Sequence, residues 1–138
     1  MLTTKAQVIK TKMPVPAPTP ESLLEQVHAA LEEMKAKDAI EIDVRGKTSI
    51  ADYLVVASGT STRHVKSVAD EVVQFAKKCG VMPLGVEGER EAEWVLVDLG
   101  AVVVHVMQPA VRQHYNLEEL WSNAAPVPRR RAAGGARS

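Results

Sequence analysis

The sequence predicts a single domain of the α/β (α+β) class, in which helices flank a mixed β-sheet. The 138 residues include 46% apolar and 25% charged side chains, enough for one hydrophobic core but not comfortably for two. Apolar positions recur at helical spacing in two long segments and at strand spacing in several short ones. Their order is helix, two strands, helix, two or three strands and a terminal helix. This order is typical of a mixed sheet covered by helices.

The first two predicted elements are a helix and a strand. Residues 21–37 repeat apolar side chains at helical spacing directly after Pro20, which indicates an amphipathic helix. Residues 39–44 alternate apolar and acidic side chains, a pattern typical of a strand with one face in water. The turn at residues 45–47 ends this strand.

A buried strand and a second helix come next. Residues 53–57 form a continuous apolar run, which predicts a strand that is buried on both faces. Thr60 or Ser61 can cap the helix that follows. That helix carries an apolar stripe and ends at Gly80, a residue suited to the left-handed conformation after a helix.

The last part of the domain is predicted to complete the sheet. Residues 83–86 indicate a short edge strand, and two apolar runs starting at Trp94 and Ala101 indicate two paired strands. A short helix is expected near residues 109–115, followed by another turn through residues 117–121.

Both ends of the chain differ in composition from the middle. Residues 1–20 contain alternating prolines and three lysines, and residues 124–138 contain four arginines, three of them consecutive. Neither segment contains an acid or enough apolar residues for a core. The sequence therefore predicts a disordered Pro-rich extension over 1–20, a folded domain over 21–123 and a disordered basic tail over 124–138.

The predicted domain is acidic. Residues 21–123 hold all 17 acidic residues but only 10 of the 17 basic ones, which gives a net charge of −7. An acidic domain repels nucleic-acid phosphates, so sequence-specific nucleic-acid binding is disfavoured. The same charge favours a partner with a basic protein surface.

Cysteine content and hydropathy indicate the cellular compartment in which the protein is expected. The single Cys79 cannot form an intramolecular disulfide, which is typical of a reducing environment. The longest apolar run, residues 101–107, is far shorter than the roughly 20 residues that cross a bilayer. Residues 1–20 have no apolar core of a secretion signal. We expect a cytoplasmic bacterial protein that does not bind membranes.

Two arrangements in the sequence are candidates for catalytic sites. Glu41 and Asp43 share one face of a strand, as a metal-dependent nucleotidyltransferase requires, but the Gly-Ser turn of such enzymes precedes the carboxylates and here follows them. Residues 59–63 resemble a nucleophile elbow in which Arg63 replaces the second glycine. The four histidines lack the spacing of a metal motif. We therefore predict no enzymatic activity, no metal and no cofactor.

Trp94 is the strongest candidate for a binding residue. It begins an apolar strand directly after a loop that contains four glutamates. A partly exposed Trp is a frequent binding hot spot, whereas a buried one stabilises the core, and the residues alone leave both interpretations open. His105, which lies among valines, is expected to be a hydrogen-bonded core or sheet-face histidine.

Seven blocks of the sequence resemble, in the same order, those of the ribosomal silencing factor family, also called iojap-like or RsfS. Together they span about residues 21–122, nearly all of the predicted domain. The blocks are DVRGKTS (43–49), DY (52–53), ASGTSTRHV (57–65), PLGVEG (83–88), WVLVDLG (94–100), VHVM (104–107) and YNLEELW (115–121).

This resemblance implies a compact mixed sheet with flanking helices, distantly similar to nucleotidyltransferase folds. It implies a non-enzymatic factor that docks on the large ribosomal subunit through ribosomal protein fourteen and blocks joining of the small subunit, which lowers translation when nutrients are scarce. A homodimer is also expected. The implied contact residues are Trp94 first, then Asp98, Glu87, His105 and Met107, with Tyr115 supporting them from the terminal helix.

Two alternatives remain from the residues themselves. An assembly factor of the large subunit that contacts RNA would use the arginines at 129–131. A nucleotidyltransferase-like enzyme would use Glu41, Asp43 and the start of the helix at Ser61.

Overall fold

The computed structural model describes residues 18–122. The predicted basic tail and all but the last residues of the predicted N-terminal extension lie outside this range. Within it, the structure contains four helices and five strands. In chain order these are α1 (Pro20–Glu33), β1 (Lys37–Asp43), β2 (Tyr53–Ser58), α2 (Thr62–Lys78), β3 (Gly85–Glu87), β4 (Trp94–Asp98), β5 (Val102–Met107), α3 (Pro109–Tyr115) and α4 (Leu117–Ser122).

The five strands form one mixed sheet in the order β1-β2-β5-β4-β3. The central strands β2 and β5 run parallel to each other, and the other three neighbouring pairs are antiparallel. Every residue of β2 and β5 is buried, as expected for apolar strands covered on both faces. The predicted mixed sheet with flanking helices is therefore confirmed.

The two faces of the sheet carry different cores. Helices α1 and α2 pack on one face, where Val55, Val95 and Val104 belong to the larger cluster of buried side chains. The opposite face carries a smaller cluster around Val56 and Met107, onto which α3 and α4 pack. Strand residues alternate between these clusters because successive side chains point to opposite faces.

The junction between α1 and β1 differs from the prediction. Helix α1 ends at Glu33 and not at 37, because Lys35 has a φ of 58° and its amide and that of Ala36 bond back to the last turn. Strand β1 then begins at Lys37, two residues earlier than predicted. Its register shifts before Ile40. A non-glycine residue in the left-handed region leaves no clear signal in a sequence.

The start of α2 follows the prediction closely. Ser61 caps the helix, since its hydroxyl accepts a hydrogen bond from the backbone N–H of His64 at 3.1 Å. Gly59 precedes the cap at a point of close approach between strand and helix. A Cβ at Gly59 would lie 2.6 Å from a methyl carbon of Val65, so only glycine fits.

Two predictions in the last part of the domain are wrong in detail. The short edge strand is Gly85–Glu87 and not 83–86, because pairing with β4 sets its bounds. The turn predicted through 117–121 is the helix α4, which is separated from α3 by Asn116 in the left-handed conformation. Within residues 18–122, no helix is both long and apolar enough to cross a membrane.

Candidate functional site

The structure brings all six predicted site residues to one face of the sheet. Residues directly opposite each other in adjacent strands share a face, and here Trp94 lies opposite Met107, Leu96 opposite His105, and Glu87 opposite Leu96. Asp98 follows on the same side of β4. From α3, Tyr115 reaches this face, with its ring centroid 4.8 Å from that of Trp94. We call this surface the β4 face.

Trp94 is held in place by two neighbours. Its indole Nε1–H donates a hydrogen bond to Nδ1 of His105 at 2.8 Å. Tyr115 packs against the indole at a tilt of 48°, and its own side chain is 54% exposed. Trp94 therefore stays partly exposed in a fixed orientation, at a cleft of about 330 Å³ between β4 and α3.

His105 is the polar anchor beneath the indole. It is only 7% exposed, and this burial lowers the pKa of its imidazole to about 4. At neutral pH the ring is therefore uncharged. Because Nδ1 accepts the bond from Trp94, the proton of the neutral ring lies on Nε2.

The buried neutral state of His105 predicts a pH dependence of stability. Between pH 6.5 and about 4 the unfolded chain takes up a proton at His105 that the folded protein does not, so the free energy of unfolding decreases as the pH falls. We expect a loss of about 3 kcal/mol over this window, measured by urea unfolding. The glutamine of the variant His105→Gln does not titrate, so the free energy of unfolding of this variant should decrease less over the same pH window. Equal losses in the two proteins would contradict this account.

An acidic loop borders Trp94. Residues 85–98 contain five acidic residues and a single Arg, and Glu87 is exposed at the edge of the sheet. Gly88 ties this loop to β4, since it has a φ of 88° and a Cβ there would collide with the carbonyl oxygen of Trp94. Half-buried Asp98 has a structural contact as well, because its Oδ1 accepts a bond from the Gly100 amide at 2.9 Å.

Burial separates the predicted site residues into two groups. Met107 is fully buried and His105 nearly so, which means that both support the β4 face from beneath. Trp94, Glu87 and Tyr115 are accessible to a partner. Asp98 is half-buried and lies between the two groups. The valines around His105 indicated its burial in the sequence, whereas no such signal separated Met107 from the accessible residues.

Leu96 also belongs to the β4 face, although it is not among the six predicted residues. It is partly exposed on the β4 face, between Glu87 and His105. Leu96 lies inside an apolar run, which is typical of a core residue. The sequence pattern that could have indicated its position is the alternation along β4, which places Trp94, Leu96 and Asp98 on the same side.

The candidate catalytic carboxylates already have polar partners. Glu41 Oε1 lies 2.8 Å from His28 Nε2, and Asp43 Oδ2 lies 2.8 Å from Arg45 Nη2. In the described part of the chain, the His, Cys, Asp and Glu side chains form no group of three that could hold a metal. Ser61 is occupied as a helix cap. These residues thus have structural partners on the face opposite Trp94.

Comparison with known proteins yields one family. The family model described as "Ribosomal silencing factor during starvation" matches residues 16–137. The chain is 50% identical over 97 residues to the ribosomal silencing factor RsfS of Chromobacterium violaceum, covering 70% of this chain and 80% of the relative. It is 42% identical over 101 residues to RsfS of Haemophilus influenzae, covering 73% and 99%.

Solved structures agree with these relatives. A crystal structure of a Chromobacterium violaceum protein matches with a TM-score of 0.75 at 44% identity, over 79% of this chain and 91% of that one. A Bacillus halodurans structure matches with a TM-score of 0.67 at 35% identity, over 73% and 94%. The distant likeness to nucleotidyltransferase folds stays a prediction. The fold, the ordered sequence blocks and these matches together show that the chain belongs to the ribosomal silencing factor (RsfS) family.

Proposed function

We propose that this protein binds the large ribosomal subunit through ribosomal protein fourteen and sterically blocks its association with the small subunit. By this route it represses translation in the bacterial cytoplasm when nutrients are limiting. The observation that supports the proposal is the β4 face, on which a partly exposed, oriented Trp94 lies beside an acidic loop.

The physical properties of the β4 face suit a basic protein partner. Aromatic side chains in fixed orientations lose little conformational entropy on binding and often dominate interfaces. The acidic residues around Trp94 complement the positive charge of a ribosomal protein and accelerate the encounter. An interface of about 800 Å² on each partner gives a specific complex. Steric blocking of subunit joining then requires occupancy and no catalysis.

Binding to a second copy is an alternative use of the same face. Strand β3 is a short edge strand of three residues next to Trp94, and edge strands can pair with another chain. A homodimer formed there would place the second copy directly beside the β4 face, where it would hinder access of the large subunit. Dimerisation and binding to the subunit would then compete.

Co-sedimentation tests the proposed function directly. The full chain is mixed with purified large subunits, small subunits are added, and the gradient is scored both for bound protein and for joined ribosomes. We expect the protein to sediment with the large subunit and joined ribosomes to decrease as its concentration rises. Protein that stays at the top of the gradient, or that binds without reducing joining, would reject the proposal.

The acidic loop predicts a charge effect on association. Glu87→Lys should lower the association rate with the large subunit by about 5-fold to 10-fold and weaken its dependence on salt, because a rim charge acts mainly on the encounter. Binding kinetics at low and high salt measure this. The matched control is Glu33→Lys, an exposed glutamate at the end of α1. If both variants lowered the association rate by a similar factor, the total charge of the protein and not the position of Glu87 would determine the rate.

A role in subunit assembly has one observation in its favour. The chain is 35% identical over 102 residues to the mouse protein named "Mitochondrial assembly of ribosomal large subunit protein 1", covering 72% of this chain and 45% of that protein. We infer that the β4 face could also bind an incomplete large subunit. Accumulation of large-subunit precursors in cells without this protein, and their loss on complementation, would test this role.

A further inference from the structure

A groove lies between α1 and β1, on the sheet face opposite the β4 face. It encloses about 470 Å³, and we call it the α1–β1 groove. Its floor includes the buried side chains of Leu24 and Tyr53, and its walls carry four carboxylates. The four carboxylates belong to Glu21, Glu25, Glu32 and Glu41.

The carboxylates of the groove differ in their partners. Glu41 pairs with His28, and Glu21 accepts a hydrogen bond from the Tyr53 hydroxyl at 3.0 Å. Glu25 and Glu32 are exposed about two helical turns apart on α1, and neither forms an ion pair with a residue in 18–122. The groove therefore combines an apolar floor with negative charge that residues 18–122 leave uncompensated.

The chain itself contains a segment of complementary chemistry. Residues 126–131 read Pro-Val-Pro-Arg-Arg-Arg, so an apolar, proline-restricted half precedes three consecutive arginines. The first half suits the floor of the groove in an extended conformation. The guanidinium groups suit the carboxylates of its walls, since Arg binds carboxylates in a bidentate manner.

A series of contacts links the end of α4 to the rim of the groove. The last turn of α4 is tied to the turn after β1, because Lys47 Nζ donates a hydrogen bond to the carbonyl oxygen of Trp121 at 2.8 Å. Two residues earlier in the same turn, Arg45 reaches Glu21 of the groove, with 3.4 Å between Nη1 and Oε2. From Ser122 to the first arginine is seven residues, which span up to about 23 Å when extended.

We propose that the α1–β1 groove binds residues 126–131 of the same chain, with the arginines against Glu25 and Glu32. Such binding holds the Arg triplet on the protein and away from RNA phosphates. It is independent of the β4 face and of the proposed ribosome binding. The lysines of residues 1–20 could occupy the same groove, and the test below distinguishes them from the arginines.

Amide NMR spectra of the full chain test this proposal. One variant replaces the three arginines (Arg129→Gln, Arg130→Gln, Arg131→Gln), and a second replaces the three lysines (Lys5→Gln, Lys10→Gln, Lys12→Gln). We expect the arginine variant to shift the amide signals of residues 24–32 and 41, and the lysine variant to leave them unchanged. In the native sequence, raising NaCl from about 0.05 M to about 0.5 M should produce the same shifts.

Changes in the groove give the reciprocal measurement. Glu25→Gln with Glu32→Gln should lower the heteronuclear NOE of the amides at 129–131, whereas Glu33→Gln, an exposed α1 residue outside the groove, should not. No shift in the arginine variant, or shifts from the lysine variant alone, would overturn the proposal. Chemical-shift changes that disappear on dilution would also overturn the proposal. They would show that the groove binds residues 126–131 of a second copy and not those of the same chain.

Discussion

Replacing Trp94 by alanine is expected to weaken binding to the large subunit by about 30-fold or more. This corresponds to at least about 2 kcal/mol, the usual cost of truncating an aromatic hot spot. The indole is partly exposed on the β4 face and oriented by His105 and Tyr115, so its contact area is available without rearrangement. Co-sedimentation with purified large subunits at several protein concentrations measures the loss.

The control for this variant must reproduce its effect on the fold. Trp121 packs against the same apolar cluster as Trp94 but lies on α4. Trp121→Ala should therefore lower stability without the same loss of subunit binding. Trp94→Phe, which keeps a ring and loses the hydrogen bond to His105, should give an intermediate affinity. If Trp121→Ala impaired binding as strongly as Trp94→Ala while both stayed folded, Trp94 would not be the anchor.

The elements that could be predicted are those whose signals are local. The fully buried β2 and the amphipathic α2 are encoded by apolar runs and by periodicity, and Ser61 and Gly80 mark the ends of that helix. The end of α1 could not be predicted, because it depends on Lys35 adopting a left-handed conformation. Likewise, pairing with the next strand, β4, decides where β3 begins and ends, and residues 83–87 by themselves carry no signal of that register.

The candidate site was predictable as a set of residues but not as a surface. The family resemblance implies Trp94, His105 and Tyr115 together as contact residues, although they come from β4, β5 and α3. The hydrogen bond between the indole of Trp94 and the imidazole of His105 depends on strand register. Only the register between β4 and β5 brings these two residues close together. The burial of Met107 follows from the packing of α3 and α4, which no single segment encodes.

Replacing Arg112 by methionine is expected to lower the stability of the fold strongly. Its nearly buried guanidinium donates a hydrogen bond to the Ser58 hydroxyl at 2.8 Å and another to Oε2 of Glu118 at 2.9 Å. These bonds join α3 to β2 and to α4. Arg112→Met would leave the partly buried Glu118 carboxylate without its cation. We expect a loss of about 3 kcal/mol in the free energy of unfolding, measured by urea denaturation.

A double variant separates the ion pair from packing. In Arg112→Met with Glu118→Leu, no unpaired charge remains, so most of the lost stability should return. If the double variant is as unstable as Arg112→Met, packing and not charge explains the effect. Because α3 also carries Tyr115, the single variant should loosen the support of Trp94 and reduce subunit binding. The double variant should regain that binding with its stability, since the role of Arg112 is to hold α3 in place.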